Sequence, residues 1–161
     1  MIMKIGLRQG FTLIELLTVM VVVGILAIVA LPKMFGTSTY QSQYFYNDVL
    51  STLRYAQKLA ISSGCQIQAN MTSTTITLTK RASCTSGTFT VAVRDPSLGT
   101  STYVKTAPGS VTITPSINPI YYDQLGKCYN SSGTVSNVTI TVGSKVINIV
   151  GQTGFTYDPT T

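Results

Sequence analysis

The apolar residues of this chain are concentrated near its N-terminus. Residues 11–31 are almost entirely apolar, whereas the later segments mix apolar residues with Thr, Ser, Gly and Tyr. As an α-helix this run would be about 31 Å long, enough to cross the hydrocarbon core of a bilayer. Lys4 and Arg8 precede it, and the positive-inside rule keeps that end in the cytoplasm. The pattern predicts a membrane-spanning helix over 11–32, with the rest of the chain beyond the membrane.

A second apolar pattern, between residues 33 and 64, has helical spacing. Apolar residues recur there every three or four positions, which is typical of one face of an amphipathic helix; they are Phe45, Val49, Leu53, Ala56 and Ala60. Ser63-Gly64 is a plausible C-terminal cap. The two patterns together predict one long helix from about Phe11 to Ser62, apolar all round in its first half.

From residue 65 to residue 161 the pattern alternates with the period of β-strands. The segments that we expect to be strands are 65–69, 74–80, 89–93, 111–114, 120–122, 138–142, 146–150 and 154–157. The two-residue connection Gly143-Ser144 favours a hairpin between two of them. A long helix followed by antiparallel strands predicts an α+β fold, in which the sheet of a β-rich head covers the amphipathic half of the helix.

Composition argues against catalysis. The chain has 161 residues, 10% of them charged, a mean hydropathy of +0.30 and no His. The commonest acid–base group is therefore missing, and the few acidic residues are scattered. No phosphate-binding glycine loop and no metal-ligand spacing are present. We expect neither an enzyme nor a bound cofactor or metal.

Glu15 does not fit an ordinary apolar segment, because it lies only four residues into the run. A carboxylate in that setting costs about 1–3 kcal/mol, depending on depth, unless it has a partner. A secretory signal peptide would have a shorter apolar stretch and an A-x-A cleavage site. A plain membrane anchor also leaves Glu15 unexplained.

The sequence Gly10-Phe11-Thr12-Leu13-Ile14-Glu15 resembles the processing motif of type IV prepilins. The resemblance implies that residues 1–10 are a leader and that prepilin peptidase cleaves between Gly10 and Phe11 and methylates the amino group of Phe11. It also implies that Glu15 pairs with the N-terminus of a neighbouring subunit in a filament. The alternative is that Glu15 only complements its own helix N-terminus.

Residues 53–61, LRYAQKLAI, followed by Gly64 and by Gln66-Ile67, are similar to the end of the helix in the GspH/FimT group. Residues 147–151 and Gly154-Phe155 resemble the closing strand of that group. These proteins are minor pseudopilins of type II secretion and minor pilins of type IV pili. The resemblance implies the type IV pilin fold, an inner-membrane precursor with a periplasmic head, an assembly platform and other pilins as partners, and a final place in a filament.

Three cysteines lie in the segment predicted to be outside the cytoplasm. A hairpin formed by the first two strands would bring Cys65 and Cys84 together, which makes that disulfide the preferred one. Bridges from Cys128 to either partner remain open alternatives, since three cysteines cannot all pair.

The net positive charge of the chain is compatible with nucleic-acid binding as a further function. The net charge is +6, and from Lys33 onward nine basic and four acidic side chains leave +5. Candidate residues for binding nucleic acid are Lys80, Arg81, Arg94 and Lys105. A DNA-binding minor pilin and a major pilin are therefore alternatives to the minor pilin or pseudopilin.

Overall fold

A computed structural model describes residues 11–34, 37–84, 86–99 and 102–159. The chain divides into two compact units, one ending at Thr37 and the other spanning Ser38–Thr161. The leader predicted at 1–10 and its cleavage residue Gly10 lie outside the described residues.

Among the residues that the structure describes, two helices precede the strands. Helix α1 spans Leu13–Met34 and helix α2 spans Thr37–Ser63. Helix α2 ends where we predicted, because Gly64 follows it with a φ of +66°, a left-handed conformation that suits a C-terminal cap. The predicted continuity of one helix from Phe11 to Ser62 stays a prediction at residues 35–36, which are not among the described residues.

In the described residues of the second unit, ten strands form two antiparallel sheets. In chain order they are β1 Ile67–Met71, β2 Thr75–Lys80, β3 Val91–Ala92, β4 Tyr103–Thr106, β5 Ile113–Pro115, β6 Ile120–Tyr122, β7 Cys128–Tyr129, β8 Val138–Val142, β9 Lys145–Ile149 and β10 Thr156–Tyr157. The first sheet has the order β3-β2-β1-β6-β7, with β4 also paired to β2, and the second has the order β10-β9-β8-β5. The sheets are linked where the Cys128 N–H donates to the Gly151 carbonyl at 2.8 Å.

Helix α2 covers this β structure with the face predicted from its periodicity. The five residues of that face are completely buried: Phe45, Val49, Leu53, Ala56 and Ala60. They form one core cluster with residues of both sheets, including Ile67, Ile120 and Ile147. Removing this apolar surface from water is what holds the helix on the head. The α+β architecture predicted from the sequence is confirmed.

The strand predictions were incomplete along one edge of β2. We expected residues 89–93 to form a strand, but β3 contains only Val91–Ala92. The reason is that β4 pairs with β2 from Thr75 to Leu78, which leaves only Thr79 and Lys80 for β3. Both β4 and β7 were missed, and the single sheet that we expected is instead two.

The predicted hairpin at Gly143-Ser144 is present, and it depends on a glycine. The register pairs Val142 with Lys145, so the loop has two residues. Gly143 has a φ of +61°, whereas no non-glycine residue in the described ranges has a positive φ. A positive φ at the first loop position alone is the signature of a type II′ turn.

A Gly143→Ala variant is expected to lose about 1 kcal/mol of its free energy of unfolding, because an L-residue is strained in this conformation. The added methyl group itself has room, since its nearest neighbours lie at 3.6–3.8 Å. Urea denaturation of the full chain in detergent micelles, followed by tyrosine circular dichroism, measures the loss. Ser144→Ala is the matched control and should change stability by less than about 0.5 kcal/mol. Equal stability of the two variants contradicts the assignment of a type II′ turn at Gly143-Ser144.

Candidate processing and assembly site

The first turn of α1 is organised by the residues of the prepilin-like motif. The Thr12 hydroxyl accepts a hydrogen bond from the Glu15 N–H at 3.3 Å, and the Thr12 carbonyl accepts from the same N–H at 3.1 Å. Thr12 is therefore the N-cap, and Glu15 occupies the third helical position, as in a capping box. The exposed Glu15 carboxylate lies in the first turn, where the helix dipole favours negative charge. Glu15 is therefore placed to stabilise the N-terminus of its own helix. The pairing of Glu15 with the N-terminus of a neighbouring subunit stays a prediction.

The apolar side chains of the described part of α1 are exposed around the helix. Large apolar residues from Phe11 to Ile28 have exposed fractions between 52% and 83%. Exposed apolar surface on this scale marks a site of protein or membrane contact. No helix in the described ranges is long and apolar enough to cross a membrane, so the membrane span predicted for residues 11–32 is not confirmed.

The end of α2 is tied to the closing segment of the chain by polar side chains. The Arg54 guanidinium donates to the Thr156 carbonyl at 3.1 and 3.2 Å. The Gln57 amide donates to the Thr153 carbonyl at 2.6 Å and to the Gly126 carbonyl at 3.3 Å. The helix end that resembles the GspH/FimT group therefore binds Thr153 and Thr156, the residues on either side of Gly154-Phe155. Gln57 is not one of the five apolar residues that define the predicted packed face, and nothing in the local sequence indicates its contact.

A disulfide joins Cys65 to Cys84, the pairing that we favoured from the hairpin. The bridge connects the end of α2 to the segment after β2, and beside it the Gln66 N–H donates to the Cys84 carbonyl at 3.5 Å. Cys84 is solvent-exposed, whereas Cys65 is buried. The bridge therefore closes the junction between helix and sheet at the surface of the head.

The third cysteine is part of the core. Cys128 is a free thiol with no exposed surface, and burial raises its pKa to about 12. It is therefore protonated at neutral pH and poorly suited to act as a nucleophile or metal ligand. Among the described residues no group of three or more His, Cys, Asp or Glu side chains is placed to hold a metal ion.

The basic residues proposed for nucleic acid do not share one surface. Lys80 and Arg94 line the same groove beside the end of α2. Arg81, although adjacent to Lys80 in sequence, lines a different cleft. The structure brings together two of the four candidates, and their contact with nucleic acid stays a prediction.

Lys105, the remaining candidate, is engaged in a buried ion pair. Its ammonium lies 2.8 Å from Asp95, which is only 1% exposed and also accepts hydrogen bonds from the Ser97 N–H and hydroxyl at 2.8 and 2.6 Å. Burial alone would raise the pKa of Asp95, but the hydrogen bonds from Lys105 and Ser97 outweigh it and hold that pKa at about 2. The bond to Asp95 also raises the pKa of Lys105. Asp95-Pro96 has only the composition of a turn, so nothing in the local sequence indicates this ion pair.

Comparison with known proteins adds a family assignment at the N-terminus. Residues 6–31 match the family model described as the prokaryotic N-terminal methylation motif. No curated protein and no solved structure matches the chain significantly. The matched segment contains the Gly10-Phe11 junction, Thr12 and Glu15. This motif implies processing by prepilin peptidase, a membrane-anchored precursor and assembly with other pilins, and the α+β fold of the head is consistent with it. The N-terminal segment of this chain therefore carries the methylation motif that characterises type IV pilin-like proteins.

Proposed function

We propose that this protein is a minor pilin or pseudopilin, a structural subunit of a type IV pilus or of a type II secretion filament. The observation that carries the proposal is the methylation motif at residues 6–31, located on a helix whose apolar side chains are exposed. A head that buries its own core does not need such a helix for stability. The helix is instead suited to packing against other subunits.

The contact between α2 and the closing segment supports a minor subunit. Arg54 and Gln57 belong to the first part of the GspH/FimT resemblance, and they bind the carbonyl groups of Thr156 and Thr153, which flank Gly154-Phe155 of the second part. The helix end and the residues beside Gly154-Phe155 thus lie next to each other in the head, which supports the proposal. A major pilin and a DNA-binding minor pilin remain the alternatives.

The proposed sequence of events begins at the inner membrane, with the head in the periplasm. Cleavage after Gly10 creates an α-amino group on Phe11, whose ordinary pKa of about 8 makes it largely cationic at neutral pH. Glu15 of an entering subunit then pairs with the Phe11 amine of its neighbour on the assembly platform. In a surrounding of low dielectric constant, two such charges attract far more strongly than in water.

Two variants separate processing from assembly. Gly10→Val places a branched side chain at the cleavage junction, so we expect the precursor to accumulate with its leader attached. Glu15→Gln keeps a side chain that suits the third helical position but removes its charge. We expect this variant to be cleaved normally yet to be lost from filaments by at least about tenfold.

The experiment measures leader removal by mass spectrometry of the N-terminal peptide, and filament content by immunoblotting sheared pili or secretion filaments. Lys58→Gln, an exposed change on the head, is the control and should leave both unchanged. Normal filament incorporation of uncleaved Gly10→Val protein would refute the proposed function. Normal incorporation of Glu15→Gln would refute only the charge pairing.

A further inference from the structure

The head contains a cleft that the filament function does not use. It has a volume of about 340 Å³ and lies between the segment after β2, strands β6 and β7, and the turn at Asn130–Gly133. This volume is at the lower end of the range of about 300–1,000 Å³ that is typical of small-molecule sites. A ligand of one or two rings fits this size, whereas a folded protein partner does not.

Aromatic rings make up the apolar part of the cleft. They belong to Phe89, Tyr121 and Tyr129, and the Phe89 and Tyr121 rings lie 4.8 Å apart at an angle of 47°. None of the nine described residues that line the cleft is aliphatic. Flat rings without Leu, Ile or Val suit the flat C–H faces of a ring ligand better than an acyl chain or an aliphatic side chain.

The polar part of the cleft is held in place by the protein. Asp123 accepts hydrogen bonds from the Leu125 and Lys127 N–H groups at 2.9 and 2.8 Å and from the Tyr129 hydroxyl at 3.0 Å. The oxygen of the Asn130 side chain accepts two backbone N–H groups, at 2.9 and 3.0 Å. These bonds fix the planar polar groups before any ligand arrives, which reduces the entropy lost on binding.

The positive and negative charges of the residues that line the cleft are equal in number. Among the described residues that line it, Arg81 and Asp123 are the two charged ones, and the Arg81 guanidinium lies 4.9 Å from the centre of the Phe89 ring. An anionic polymer would meet Asp123 as well as Arg81, so its electrostatic gain would be small. The cleft is therefore matched to a ligand without net charge that offers many hydroxyl groups.

We propose that this cleft binds a neutral saccharide of one or two sugar units. The Phe89 and Tyr121 rings stack on the sugar, while planar side chains at Gln66, Asp123 and Asn130 bind its hydroxyl groups. At about 0.3 kcal/mol per non-hydrogen atom, a monosaccharide would bind with a dissociation constant on the order of millimolar.

The test uses the full chain, labelled with ¹⁵N, in micelles of a zwitterionic detergent that has no sugar headgroup. It is titrated with glucose, galactose, N-acetylglucosamine, maltose and lactose while the backbone amide resonances are recorded. We expect saturable shifts for at least one sugar, concentrated at Gln66, Tyr121 and Asn130. The absence of a saturable shift with every sugar overturns the proposal. The proposal is also overturned if an oligothymidylate shifts the same amide resonances and none of the sugars does, because the ligand of the cleft would then be nucleic acid.

Variants of the stacking residue decide whether the cleft itself is responsible. Phe89→Leu keeps an apolar side chain but removes the flat ring, and Phe89→Ala removes both, so each should weaken binding by at least about fivefold. Tyr40→Ala removes an aromatic ring that is 80% exposed outside the cleft, and it should leave the affinity unchanged. The spectrum of each variant also reports whether it is folded. Wild-type affinity in a folded Phe89→Leu protein overturns the proposal.

Discussion

An Asp95→Asn variant is expected to lose about 3 kcal/mol of its free energy of unfolding. Asparagine has the same shape and can still accept the hydrogen bonds from Ser97, so the change removes mainly the negative charge. The Lys105 ammonium, whose side chain is only 18% exposed, would then remain largely buried without its counterion. Breaking a buried ion pair on one side typically costs 3–5 kcal/mol, because the remaining charge is left uncompensated. Urea denaturation of the full chain in micelles gives the value.

Asp48 provides the matched control for Asp95. Burial raises the pKa of Asp48, so its charged form is disfavoured in the folded head. Asp48→Asn should therefore be neutral or slightly stabilising. If both aspartate variants lose the same small amount of stability, the Asp95–Lys105 pair does not have the importance that its geometry indicates.

The Asp95–Lys105 pair should also make the free energy of unfolding decrease at low pH. The pKa of Asp95 is about 2 in the folded protein and 3.8 without the fold, so its contribution is complete above pH 4 and is lost as the pH falls through 2. This difference corresponds to about 2 kcal/mol. The stability gap between the wild type and Asp95→Asn should therefore narrow by about that amount between pH 5 and strongly acidic conditions. A gap that is independent of pH contradicts the assigned pKa.

Removing the disulfide is expected to cost about 3 kcal/mol. Cys65 and Cys84 are 19 residues apart, and closing a loop of this length restricts the unfolded chain by about that free energy. A Cys65→Ala, Cys84→Ala double variant tests this without leaving a single reactive partner. Its midpoint of urea denaturation should be lower than that of the oxidised wild type.

Reduction of the wild type provides the control for that variant. With a reducing agent present, the wild type should become about as unstable as the double variant, whereas the double variant should not respond. Cys128 is unaffected because it is a buried free thiol in both proteins. Equal stability of the oxidised wild type and the double variant refutes a stabilising role for the bridge.

The parts of the fold that local sequence determines were predictable. The buried face of α2 has a clear helical period, and Gly64 stops the helix with a conformation that glycine adopts easily. The hairpin around Gly143 was also predictable, because two alternating segments flank a two-residue turn. In each case the residues that specify the structure lie within a few positions of one another.

Strand β4 was not predictable, because its position depends on distant partners. It is held by pairing with β2, by stacking of Tyr103 on Tyr55 with ring centres 5.2 Å apart, and by the pair between Lys105 and Asp95. No local pattern in Tyr103–Thr106 specifies these contacts. The same reason explains why the ion pair and the aromatic cleft became visible only in three dimensions.

The prediction of the processing site had a different basis. In the proposed function, a peptidase recognises the motif around Gly10 and Glu15 in the precursor, so the recognition signal would consist of consecutive residues of the sequence. The N-cap at Thr12 is its only counterpart in the described fold. The saccharide cleft is the opposite case, since its residues come from separate strands and turns.

The disulfide between Cys65 and Cys84 changes the number of free thiols in the protein when it forms. Such bonds form in oxidising compartments and are rare in the cytosol. Under the proposed periplasmic location of the head, a newly made chain would carry three thiols before translocation and one afterwards, the buried thiol of Cys128. The number of thiols that react with an alkylating reagent after denaturation would therefore distinguish molecules before translocation from molecules after it, without any added label.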